Sequence, residues 1–181
     1  MGSSRVKNCK TMDLQPIFNL VLVAPEIPQN TGNLIRLCAN VGARLNLVTP
    51  LGFQLNDSKL SRAALDYGDV VDVIVYKSID EYFDGVTMES VYGAVISGTV
   101  SYTSPKYNLG DTIIFGSESS GLPSSVVEKL IPENRIYIPM IPANRSINLA
   151  NAAAIIVYEM WKQLDFTGAV SKSNLRQPYF S

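Results

Sequence analysis

The side chains that could do chemistry gather in three polar stretches: ISGT at 96–99, GSESSGLP at 116–123 and IPMIPANRSIN at 138–148. They supply glycine-bared backbone, serine hydroxyls, the Glu118 carboxylate and Arg145. The chain contains no histidine, which removes Ser/His/Asp triads, Cys/His dyads and histidine-ligated metals together. Its two cysteines, Cys9 and Cys38, lie far apart without a CxxC pair, so neither a disulfide framework nor a zinc site is indicated. No Lys-Ser/Thr follows the Gly116–Gly121 stretch and no GxGxxG occurs, so a Walker loop and a dinucleotide fingerprint are both absent. What remains is a Gly/Ser/Glu loop able to admit an adenosine-sized ligand to bare N–H and C=O groups.

Strands and helices must hold those loops in place. The run IFNLVLVA at 17–24 is rich in β-formers and reads as a first central strand, stopped by Pro25 and Pro28. Asn30 and Thr31 are cap types for a helix whose apolar side is Leu34, Ile35, Leu37, Cys38 and Val41 and whose end is Gly42. Further strands are expected at 44–49, 70–76, 92–97 and 111–115, with short helices at 58–67 and 79–83 and another opening at Pro123. Arg135 to Met140 alternates like a strand; Pro139 and Pro142 then force a loop, with Ser146 and Asn148 as caps for a helix. Residues 149–158 are small or apolar except Asn151, which predicts a helix buried in the interior and a buried partner for that amide. Alternating strand and helix implies an α/β fold with a mainly parallel sheet covered by helices on both faces. Ligands of such sheets lie beyond the carboxyl ends of the strands, where the three polar loops fall.

With 46% hydrophobic and 17% charged residues the chain suits one compact domain, expected over residues 16–170. Residues 1–15 read as a flexible extension or, from MGSS, an expression remnant, and 171–181 as a tail. A net charge of -1 and a pI near 5.4 argue against non-specific coating of nucleic acid and leave room for a local basic face. No apolar run reaches membrane-spanning length and no leader pattern opens the chain, so a soluble cytoplasmic protein is expected. The sequons at Asn56 and Asn144 are then chance matches.

Three stretches in order, PEIPQNTGNLIRLCANVGA, FGSESSGLP and IPMIPANRSINLANAAAIIVYE, with LDY at 65–67 and the ending WKQLDFTGAV, resemble the motifs of the SPOUT superfamily of trefoil-knotted RNA methyltransferases. The likeness runs from about Ile17 to Val170. It is greatest to the small tRNA ribose 2′-O-methyltransferases that act on the wobble nucleotide, cytidine or modified uridine, of leucine tRNAs. The resemblance implies a deep C-terminal knot, among the rare exceptions to unknotted topology. It also implies S-adenosylmethionine as cofactor, tRNA as partner, a homodimer, and no metal or membrane. Cofactor contacts carried over by position are Ile96, Ser97 and Gly98, then Gly116, then Ile138, Met140, Ser146 and Leu149.

The resemblance assigns Arg36 to the acceptor, clamping its phosphate and activating the hydroxyl, within its own subunit or across the dimer. A guanidinium stays protonated, so the clamp is the better-founded role. Read alone, Arg36 is a helix-surface ion pair. Ser146 and Asn148 match a polar pair near the methyl group, or are plain caps. Asn30 orients the acceptor strand or caps its helix, and Glu118 holds Arg36 or an RNA hydroxyl, or is a solvated loop carboxylate. Tyr158 matches a tyrosine near the acceptor; the competing role is a core or dimer-interface aromatic. Lys59, Arg62 and Arg145 are candidate phosphate contacts. Two other functions fit the same motifs: 2′-O-methylation of rRNA or another tRNA position, and RNA binding by a member that has lost catalysis.

Overall fold

A computed structural model describes residues 16–55, 71, 73–141 and 146–170. The expected helix at 58–67 with Lys59 and Arg62, Arg145, and the two terminal segments lie outside the described residues. Among the described residues, seven strands form one sheet: β1 (Asn19–Val23), β2 (Arg44–Val48), β3 (Val73–Tyr76), β4 (Val91–Ala94), β5 (Val100–Ser101), β6 (Thr112–Phe115) and β7 (Arg135–Tyr137). Their order is β3-β2-β1-β6-β4-β7-β5, and every neighbouring pair is parallel.

Period-two alternation splits each central strand between two apolar layers. Leu20 and Leu22 of β1, Leu45 and Leu47 of β2, and Ile113 and Phe115 of β6 face one side. There they meet Leu34, Leu37, Cys38 and Val41 of α1 (Pro28–Val41) and Ala153, Ile156, Val157 and Met160 of α4 (Leu149–Gln163). Val21, Val23, Val48 and Ile114 face the other side, under Tyr82 of α2 (Ile79–Phe83) and Leu130, which follows α3 (Ser124–Val127). Each fully buried Leu or Ile stabilises by about 1.5–3 kcal/mol.

Three expectations are corrected. Asn30 and Thr31 do not cap α1: Pro28 supplies its fixed φ in the first turn, Ile27 is the cap residue without a side-chain bond, and both polar residues are buried within the helix. Gly42 does end it, at φ 70. The helix after the third loop is not buried all round. One stripe of α4 packs on the sheet, while Asn151, Ile155 and Tyr158 are exposed one turn apart, so Asn151 needs no buried partner. Lastly, β7 stops at Tyr137 and β4 ends at Ala94, each shorter than its apolar run, while residues 70 and 72 of the expected third strand lie outside the described residues. The two-residue β5 and the 3-10 turns Met88–Ser90 and Pro132–Asn134 carry no pattern long enough to expect from sequence. Among the described residues, no helix is long and apolar enough to cross a membrane.

Candidate active site

The carboxyl ends of β4, β6 and β7, neighbours in the sheet, open onto a cleft of about 790 Å³. Each polar loop contributes a wall: Ala94–Ile96, Phe115–Gly121, and Ile136–Ile138, Met140 and Ile141 with Ser146–Leu149, closed by Ile27 and Asn30 from the start of α1. Prolines and glycines explain why the backbone leaves the sheet here. Pro139 ends the β7 ladder, and the backbone of Ile138 and Met140 makes no hydrogen bond to another described residue. Gly116 is required by contact: a Cβ there would lie 1.9 Å from the Gly121 carbonyl carbon. The hairpin it permits is pinned by Ser117 and Gly121, which exchange backbone bonds of 3.2 and 2.9 Å, and by the Ser117 and Ser120 hydroxyls at 2.7 Å.

A run of hydrogen bonds joins the second loop to both flanking helices. Glu118 Oε2 accepts from the backbone N–H of Glu26 at 2.8 Å, and Oε1 from Ile27 N–H at 3.3 Å and Asn30 Nδ2 at 2.9 Å. Asn30 Oδ1 accepts from Asn148 Nδ2 at 3.1 Å. Asn148 Oδ1 caps α4, accepting from Ala150 N–H at 2.9 Å and Asn151 N–H at 3.3 Å. Ser119 Oγ donates to Glu26 Oε1 at 2.6 Å, so the side chain two residues before α1 is also tied to this loop. A carboxylate at a helix start also offsets the positive end of the helix dipole.

Of the residues singled out from sequence, Asn30, Ile96, Gly116, Glu118, Ile138, Met140, Ser146, Asn148 and Leu149 share the cleft wall. Ser97 and Gly98 do not. The Gly98 N–H bonds back to Val95 at 3.1 Å, and a Cβ there would strike the Arg135 carbonyl oxygen at 2.7 Å, so this glycine serves close packing on β7. Arg36 and Tyr158 also stand outside the cleft, on the exposed sides of α1 and α4; the Tyr158 ring meets Trp161 edge-on at 5.7 Å. Glu118 is engaged with Glu26, Ile27 and Asn30 rather than standing as a solvated carboxylate. Sequence reasoning missed Glu26 and Ile27. The only signal for them was their place between Pro25 and Pro28, where a strand gives way to a helix.

A parallel α/β sheet with a cleft of apolar walls, unclaimed backbone groups and a few fixed amides and hydroxyls at the strand ends is the frame of a small-molecule-using α/β enzyme. The chain belongs to the SpoU rRNA Methylase family, whose model matches residues 17–158. It is 44% identical over 154 residues to the tRNA (cytidine(34)-2′-O)-methyltransferase of Methylovorus glucosotrophus, covering 85% of this chain and 100% of that protein. The Escherichia coli protein of the same name is 42% identical over 154 residues, covering 85% and 98%. A structure solved in work on the 2-OH methylation of C/U34 on tRNA superposes with a TM-score of 0.76 at 37% identity, over 82% of this chain and 96% of that one. The SpoU methyltransferase AviRb of Streptomyces viridochromogenes, in complex with AdoMet, shares the fold at 22% identity and a TM-score of 0.75, over 84% of this chain and 60% of that one.

Proposed function

We propose that this protein is an S-adenosylmethionine-dependent methyltransferase acting on the ribose 2′-hydroxyl of the wobble nucleotide, cytidine or modified uridine, in tRNA anticodons, those of leucine tRNAs included. It works as a cytoplasmic homodimer whose C-terminal segment is tied in a deep trefoil knot. The observation that carries the reading is the end-to-end likeness to enzymes named for that reaction, with the whole of one relative covered at 44% identity. The cleft supports it. Ile96, Ile138 and Leu149 offer flat apolar walls for an adenine, and the unclaimed backbone of Ile138 and Met140 offers its hydrogen bonds.

Bound S-adenosylmethionine supplies the methyl group from its sulfonium. The protein's own part is to align the acceptor oxygen and let its proton leave. Ser146 and Asn148, side by side on the cleft wall, orient that oxygen. Arg36 clamps the adjoining phosphate as a permanent cation. Lys59, Arg62 and Arg145 add phosphate contacts that fix register without reading bases. Arg36 and Tyr158 lie outside their own cleft, and Asn151, Ile155 and Tyr158 leave a stripe of α4 exposed. The proposed assembly is a two-fold dimer joined on that stripe, in which Arg36 serves the partner's cleft.

The test is methyl transfer from labelled S-adenosylmethionine to bulk tRNA from a strain lacking the activity, followed by nucleoside analysis. A labelled 2′-O-methylpyrimidine from the anticodon is expected, and Arg36→Ala should lower kcat/KM at least about a hundredfold with cofactor affinity little changed. Absence of cofactor binding in calorimetry at millimolar concentration sinks the proposal. A second reading, methylation of rRNA or another tRNA position, draws on the family's description as rRNA methylases; the labelled nucleoside and its position decide between them.

A further inference from the structure

We propose that Glu118 is a positioning residue for methyl transfer: through Asn30 it fixes which way the Asn148 amide faces, holding one Nδ2 hydrogen of Asn148 at the cleft wall for an oxygen of the acceptor ribose. Its consequence for catalysis rests on the methyltransferase reading above; its geometry does not. An ionised carboxylate only accepts hydrogen bonds. Glu118 therefore demands the NH₂ end of Asn30, found at 2.9 Å, and turns the Asn30 carbonyl toward Asn148. From the opposite end, the N–H groups of Ala150 and Asn151 demand the Asn148 carbonyl, which leaves its NH₂ to face Asn30.

Both amides are thus oriented twice over, by a carboxylate on one side and a helix start on the other. Reversing either sets donor against donor or acceptor against acceptor. Asn30 is only 6% exposed, so water cannot repair the mismatch. Of the two Nδ2 hydrogens on Asn148, one goes to Asn30 and the other has no partner among the described residues. Asn148 lies on the cleft wall with Ser146 and Leu149. Glu118 also holds the backbone of Glu26 and Ile27, so the same carboxylate sets where α1 begins relative to the cleft.

Reversing the polarity of the pair tests this in the full-length protein. Glu118→Gln offers one acceptor where two are needed, and Asn30→Asp sets two carboxylates face to face. The double variant restores complementarity along the run to Asn148, because the introduced amide donates to the introduced carboxylate, which still accepts from Asn148; only the 3.3 Å bond from Ile27 N–H is given up. Each single change should lower kcat at least about tenfold at saturating tRNA and cofactor, with both KM values within about twofold, and the double change should return kcat to within about threefold of the parent. A readout independent of substrate accompanies it. In isotope-labelled protein, NMR should find the Asn148 Nδ2 hydrogen that is bonded to Asn30 exchanging slowly with water, at least about tenfold faster in Glu118→Gln, and slowly again in the double variant. If the parent protein methylates no tRNA, the proposed function falls and the exchange measurement alone decides this inference. Unchanged Asn148 exchange in Glu118→Gln, or a double variant no better than the singles, overturns it.

Discussion

Replacing Gly116 by alanine tests the hairpin that forms one wall of the cleft. An ideal Cβ at this position lies 1.9 Å from the Gly121 carbonyl carbon, 2.0 Å from its oxygen and 2.1 Å from the Leu122 nitrogen. All three are backbone atoms, so no rotamer change relieves the overlap. Carbon atoms rest about 3.5 Å apart, so the two strands of the hairpin must separate by about 1.5 Å. The Ser117–Gly121 bonds of 3.2 and 2.9 Å cannot survive that displacement. Losing two hydrogen bonds at about 1 kcal/mol each, with about 1–3 kcal/mol of overpacking strain, gives a destabilisation of about 3–5 kcal/mol. For a chain of this size that corresponds to a fall in Tm of about 6–20 °C. Thermal melts followed by circular dichroism, with urea titration at one temperature, measure it. A Gly116→Ala protein melting within about 2 °C of the parent would refute the close approach and the wall built on it.

Three further outcomes are expected. The Thr31 hydroxyl is fully buried without a hydrogen-bond partner among the described residues, so Thr31→Val should raise stability by about 1–3 kcal/mol in urea titration. Burial lifts the Tyr82 phenol to about 12 and pushes Tyr107, Tyr92 and the Cys38 thiol up as well. These groups hold their protons more tightly folded than unfolded, so their stabilisation is complete below the unfolded pKa values and drains away above about pH 9. The share of Tyr82, on the order of 2–3 kcal/mol, is lost toward pH 12, and Tyr82→Phe should flatten that limb in urea melts run from pH 7 to 11. Ile155→Asp places a charge on the exposed stripe of α4 and should weaken the proposed dimer at least about tenfold in sedimentation equilibrium, leaving the monomer folded.

Where a physical signal was local, it was legible in the sequence. The bounds of α2 coincide with the expected 79–83 segment because Ser78 caps it by accepting from Glu81 N–H. Gly42 marked the end of α1 because only a left-handed residue can turn the chain there. The three loops were found because glycine and proline interrupt β-runs. Asn30 offers two readings from sequence, a cap or a contact to the acceptor strand, because the partners that hold it lie 88 and 118 residues away. The exposed face of α4 was hidden for another reason. Alanine counts as apolar in composition but does not reveal which side of a helix meets the sheet, and Ile155 and Tyr158 lie on the side that does not.

The strand order places β6 between β1 and β4, and β7 between β4 and β5. During synthesis the ribosome releases the first five strands before either of the two that must lie among them. The β1 edge and both edges of β4 therefore wait unpaired until residues 112–115 and 135–137 have emerged. Open parallel edges invite pairing with other chains. A nascent chain stalled before β6 is thus a hazard that the finished protein is not. A fragment ending near residue 110 should precipitate or be held by chaperones, even though it contains more than half of the sheet.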